Sequence, residues 1–126
     1  MENRTARRTH RRATAARLRN RARTHRAASR LPRTGVATLA GHAVAAGLRV
    51  REARSAAGTM RKCAARIGVT GTPGRSYAGR AAARDCTRYT VAEAALVGAD
   101  YSKRARKPEY RRMAVRLTRT ALQTAA

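Results

Sequence analysis

The chain has 126 residues and sets 30 Lys+Arg against 6 Asp+Glu, a formal net charge of +24. Like charges at this density oppose compaction unless a polyanion neutralises them, so nucleic acid is the partner that composition favours over all others. No run approaches the roughly 18–20 apolar residues of a membrane span, and no apolar stretch follows the basic start, so neither a membrane protein nor a secretory leader is expected.

Arginine carries nearly all of the positive charge; only Lys62, Lys103 and Lys107 are lysines. A chain rich in Arg, Ala, Gly and Thr matches GC-rich coding DNA, which accounts for Arg over Lys but not for the scarcity of acids. The chain lacks Phe and Trp and has 4 Tyr. Alanine supplies most of the apolar residues and buries little area, so the expected core is thin and stands to gain from a partner or a homodimer. Cys63 and Cys86 make no disulfide framework, and two idle thiols in a reducing cytoplasm are expected.

Residues 1–33 read as a basic arm. Its stretch "RRTHRRATAARLRNRARTHRAASR" (7–30) contains no acid. The candidate phosphate contacts are Arg7, Arg8, Arg11, Arg12, Arg17, Arg19, Arg21 and Arg23. Ala15, Leu18, Ala22 and Ala28 share one side at helical spacing, but only Leu18 is large. Membrane-surface helices need Leu, Phe or Trp on that side, so no membrane partner is expected. The same lack of bulk argues against an organellar presequence. The arm is expected to be disordered or helical and to order on a polyanion, its arginines following phosphates or entering a narrow minor groove.

The pattern changes at "LPRTG" (31–35), where Pro32 and Gly35 mark a break. Residues 34–126 read as a small helical nucleic-acid-binding domain. A first helix, "GVATLAGHAVAAG", carries Val36, Leu39, Ala40, Ala43 and Val44 on one stripe. Thr34 is its expected N-cap, and Gly47 its stop, with Leu48 packing back. A second helix, "VREARSAAGTMRKCAARIG", has Ala53, Ala57, Met60, Ala64 and Ile67 on its buried side. Its other side offers Arg51, Arg54, Ser55, Arg61, Lys62 and Arg66, with Gly58 a bare spot among them. A solvated charged face is the competing reading of that side.

"VTGTPGRSYAGRAAARDC" cannot be one continuous helix, given Gly71, Pro73, Gly74 and Gly79. It is expected to form a basic loop or hairpin lined by Arg75, Arg80, Arg84 and Arg88; the residues leave open whether strands form. At "TRYTVAEAALVGADY", Thr90 and Glu93 match a capping box. Tyr89 precedes the cap, where it can pack on Ala94, and Val91, Ala94, Ala95 and Tyr101 are expected to face inward. A last helix starts at Pro108 with Glu109 in its first turn and buries Tyr110, Met113, Leu117 and Ala121. The expected fold is therefore mainly α: a small bundle of about four helices with room for a short β-hairpin.

His10, His25 and His42 have no metal-ligand spacing with one another or with the cysteines. The six carboxylates offer no catalytic pair, and "GVTGTPGRS" lacks the P-loop pattern. No catalytic residue, metal or cofactor is expected, and the chain reads as non-enzymatic. Cys63 has cations nearby that could activate it, but its place beside the apolar stripe favours an inert thiol.

Two helices, a Gly- and Arg-rich segment, and then Arg88-Tyr89-Thr90 leading into "VAEAALVGA" resemble the winged helix-turn-helix of MerR-type regulators and excisionases. The likeness covers roughly residues 36–101. It implies a wing between the second and third domain helices and places residues 49–67 as the recognition helix. The second helix is longer than that pattern, and no compact turn is visible inside it. The overall texture is similar to small basic proteins of actinobacterial plasmids and phages. The function expected is binding to duplex DNA as a regulator, excisionase-like factor or architectural factor of a mobile element, in a cytoplasmic, nucleoid-associated setting. Scarce aromatics disfavour single-strand stacking. The alternatives are an RNA-binding or ribonucleoprotein assembly component and a basic adaptor for an acidic protein.

Overall fold

In a computed structural model of the chain, residues 2–77 and 82–125 are described. Their elements, in order, are α1 (Glu2–Thr34), β1 (Val36–Ala37), α2 (Leu39–Ala45), α3 (Val50–Ile67), β2 (Thr72–Ser76), β3 (Arg84–Thr90), α4 (Val91–Ser102) and α5 (Pro108–Ala125). The fold is mainly helical, with a small antiparallel sheet ordered β1-β3-β2.

The arm segment is helix α1. Arginine and alanine both favour helix, and 33 residues extend about 50 Å. Residues 3–14 are exposed throughout. Toward the other end, Asn20, Thr24, Ala27 and Leu31 are half-buried at spacings that define one face, and this end of α1 packs on α2. Of the side expected from Ala15, Leu18, Ala22 and Ala28, Ala15 is half-buried whereas Leu18 is 59% exposed. Pro32 is accommodated in the last turns, and Gly35 stops the helix at a positive φ of 73°, its amide reaching the Leu31 carbonyl at 2.8 Å.

Thr34 is therefore not the N-cap of the next helix. It closes α1, its hydroxyl donating to the Arg30 carbonyl. Val36 and Ala37 are extended because they pair with Thr90 and Tyr89 of β3. A strand pairing outcompetes one more turn of helix there, and the start of α2 moves to Leu39. Thr38 caps it, its hydroxyl accepting from the Gly41 amide at 3.1 Å. The expected stop at Gly47 is present. Gly47 has φ 109°, its amide bonds the Val44 carbonyl, and the Leu48 amide bonds the Ala43 carbonyl. That pair of bonds is a Schellman ending, and Leu48 turns back into the core. Arg49 then precedes α3, so only 46–49 separate the two helices.

Helix α3 buries Ala53, Ala56, Ala57, Met60, Cys63 and Ala64. Ile67, expected on that stripe, is 40% exposed. It is the last helical residue, and Gly68 redirects the chain so that Val69 packs on the core instead. The following segment is a true hairpin, with Thr72 opposite Arg88 and Ser76 opposite Arg84. Pro73 is tolerated because β2 is the edge strand. Gly71 is required: at φ 67°, a Cβ would stand 2.7 Å from Thr87 Cγ2 and 2.8 Å from the Arg88 carbonyl.

The capping box at α4 is complete. Thr90 Oγ1 accepts from the Glu93 amide at 3.1 Å, and Glu93 Oε1 from the Thr90 amide at 3.0 Å. Ala94, Val97, Gly98 and Tyr101 are buried on α4, while Val91 and Ala95 are only half-buried. Gly98 lets α5 come close; a Cβ there would lie 3.0 Å from the Ala114 carbonyl. Met113, Ala114 and Leu117 seal the core from α5, with Tyr110 and Ala121 half-buried. His42, a single polar side chain among these apolar ones, is 2% exposed and lies within hydrogen-bond distance of the Tyr89 carbonyl.

Candidate nucleic-acid interface

Packing on α2 and α4 decides which side of α3 is free. At about 100° per residue, Arg51, Ser55, Gly58 and Lys62 stand opposite the buried stripe, and Arg54 and Arg61 flank them on one side. All five of the polar side chains named are exposed. A Cβ at Gly58 would meet one atom within 4 Å, Arg61 Nη2 at 3.9 Å, so the spot among the cations is nearly open.

Arg66 is exposed like the others but is ion-paired within the protein. Its Nη2 is 2.5 Å from Asp100 Oδ2 on α4 and 3.4 Å from Cys63 Sγ. Arg104 lies 3.6 Å from the same carboxylate. The Arg66 hydrogen bond is the main reason the Asp100 carboxyl is held below its ordinary value. Cys63 is fully enclosed. Burial, followed by the neighbouring Asp100, pushes its thiol above the ordinary value. The nearby cations therefore do not activate it, and a nucleophilic role has no support.

Strand alternation splits the hairpin's charges. Arg84 and Arg88 share one face of β3, whereas Arg75 shares the other with its cross-strand neighbour Asp85. Arg75 Nε lies 3.5 Å from Asp85 Oδ1, an exposed pair of small energetic weight. Arg88 Nη2 donates to the Arg75 carbonyl at 2.9 Å and lies across Gly74, which stiffens the hairpin. Tyr77, just past β2, is 77% exposed. Arg80 lies outside the described residues.

On α1, Arg7, Arg8, Arg11, Arg12, Arg17, Arg19, Arg21 and Arg23 are all exposed, and among the described residues none forms an ion pair. Arg4, Arg7, Arg8, Arg11 and Arg12 cluster at its outer end, all exposed. Helix α1 packs on α2 and touches β1.

Two residues of structural weight escaped the sequence reading. His42 falls on the α2 stripe three residues after Leu39, and that spacing was the available signal for its burial. Arg116 donates from Nη1 to the Ala46 carbonyl at 3.1 Å and so satisfies the C-terminal end of α2. No local pattern could have announced a contact between α5 and the turn before α3.

Among the described residues no cluster of three or more His, Cys, Asp or Glu is placed to hold a metal ion. No described helix is long and apolar enough to cross a membrane. Comparison of the chain with protein-family models, with curated proteins and with solved structures yields no match.

Proposed function

We propose that this chain is a non-enzymatic duplex-DNA-binding protein that uses residues 36–101 as a winged helix-turn-helix. The observation that carries the reading is the free face of α3. It presents Arg51, Arg54, Ser55, Arg61 and Lys62 with no acid among them, on the second of two helices joined by a short Gly-containing turn. Second helices of such pairs enter the major groove. Helix α3 runs unbroken from Val50 to Ile67, so its length remains a departure from the winged helix-turn-helix pattern.

In this reading the hairpin, which follows α3 and precedes the Tyr89-Thr90 step into α4, acts as the wing. Its Arg84 and Arg88 side supplies backbone contacts in this reading. The α1 arginines add a sequence-tolerant term, because guanidinium groups without protein partners exchange small counterions for phosphates. A regulatory, excisionase-like or architectural role in a nucleoid-associated setting is compatible with these parts, and a homodimer would suit the thin core.

The test is a gel-shift competition among duplex DNA, duplex RNA and single strands at fixed salt. Duplex DNA should compete best. Equal or better competition by RNA would favour a ribonucleoprotein role, and absence of binding to any nucleic acid would favour an acidic protein partner.

A further inference from the structure

The described surface contains one groove of quite different character. Ala28, Leu31 and Pro32 of α1 form one wall, Ala45 and Ala46 with buried His42 a second, and the start of α4 with Leu117 and Thr120 of α5 close it. Its volume is about 510 Å³, within the range of small-molecule sites. No Arg, Lys, Asp or Glu lines it, in a chain where 30 residues are Lys or Arg. Five of the thirteen lining residues are alanine and one is glycine, so four helices meet here with few side chains large enough to fill the space.

Each of the few polar side chains in the lining already makes a hydrogen bond within the protein. Thr90 accepts from Glu93, His42 bonds the Tyr89 carbonyl, and Thr120 donates to the Arg116 carbonyl. No buried side-chain nitrogen or oxygen among the described residues lacks a partner. Water in this groove would therefore find few partners, whereas an apolar molecule would lose nothing on entering. A charged ligand would have no counter-charge to meet.

From this we propose that the groove is a binding site for a neutral, apolar small molecule. An occupant touches α1, α2, α4 and α5 at once, so it ties α1 to the rest of the domain. The inference is independent of duplex binding.

The test uses the full chain and N-phenyl-1-naphthylamine, a neutral probe that brightens in apolar surroundings. Its titration should saturate at one probe per chain. Ala28→Leu, at an exposed helical position on the groove wall, should weaken binding about tenfold or more, while Leu96→Ser, an exposed leucine outside the groove, should leave it unchanged. In the wild-type chain the probe should slow tryptic cleavage after Arg30 and Arg33 but not after Arg4 to Arg12; this readout decides the matter if the filled variant misfolds. Non-saturating binding, equal binding by a folded Ala28→Leu variant, or no protection at Arg30 and Arg33 would overturn the assignment. So would a wild-type dimer that excludes the probe and dissociates in Ala28→Leu, since a second copy would then occupy the groove.

Discussion

The His42 ring and the Tyr89 carbonyl are 2.6 Å apart, and they join α2 to the end of β3 inside the core. A carbonyl oxygen only accepts, so Nε2 donates, and the neutral ring with its proton on Nε2 suffices for the bond. Burial is the largest influence on this group and lowers its pKa. The Tyr89 bond and the charge of Glu93 oppose that shift without reversing it.

The unfolded chain takes up a proton on His42 near its ordinary value of about 6.5, and the folded chain only at lower pH. Stability is therefore full above about 6.5 and declines as pH falls toward the folded-state value. Melting temperature should drop between pH 7.5 and 5.5, and His42→Gln should flatten that drop. An unchanged slope in the variant would assign the dependence to other groups.

Met60 is completely enclosed at the centre of the α3 stripe. Most of its buried neighbours on that helix are alanines, which cannot collapse far into a void. Met60→Ala should cost about 2–5 kcal/mol in urea unfolding. In so thin a core this could unfold the domain outright. A loss below about 1 kcal/mol would mean that α3 is not held by this contact.

Arg54 and Arg61 are exposed and unpaired in the ion pairs of the described residues, whereas Arg66 is engaged by Asp100. Arg54→Ala or Arg61→Ala should leave the fold intact and weaken duplex binding. The expected cost is about 1–3 kcal/mol for a residue reading a base edge, with relaxed sequence preference. For a residue touching phosphate only, the loss should be uniform across sequences and the salt slope should fall by about one. Arg66→Ala should do the opposite, lowering the melting temperature with little change in affinity. Wild-type affinity in an Arg54→Ala, Arg61→Ala double variant would move the interface from α3 to the hairpin.

Like charges repel along α1, as at Arg4–Arg8, Arg8–Arg12 and Arg17–Arg21. Phosphates relieve that repulsion, so the thermal loss of helical circular dichroism should move to higher temperature when duplex is added. Deleting residues 1–14, which make no buried contact where described, should weaken binding to all duplexes alike and flatten the salt dependence. If the truncated chain instead lost sequence preference at unchanged overall affinity, α1 would be a reader.

Local chemistry written into consecutive residues was legible before any folding was considered. Thr90 and Glu93 specify the start of α4, Gly47 and Leu48 the end of α2, and the spacing of Ala53, Ala57, Met60 and Ala64 the buried side of α3. Each depends on hydrogen bonds or helix geometry within a few residues. The exposed arginines of α1 and α3 were legible for the same reason, since charge without a partner stays in water. Tertiary structure decided what needs a distant partner. Val36 and Ala37 are strand and not helix because Tyr89 and Thr90 lie beside them. Arg66 is a strut and not a free cation because Asp100 is brought to it across 34 residues. The groove beside His42 exists because four alanine-rich helices meet where few large side chains fill the gap, and no window of the sequence contains all four.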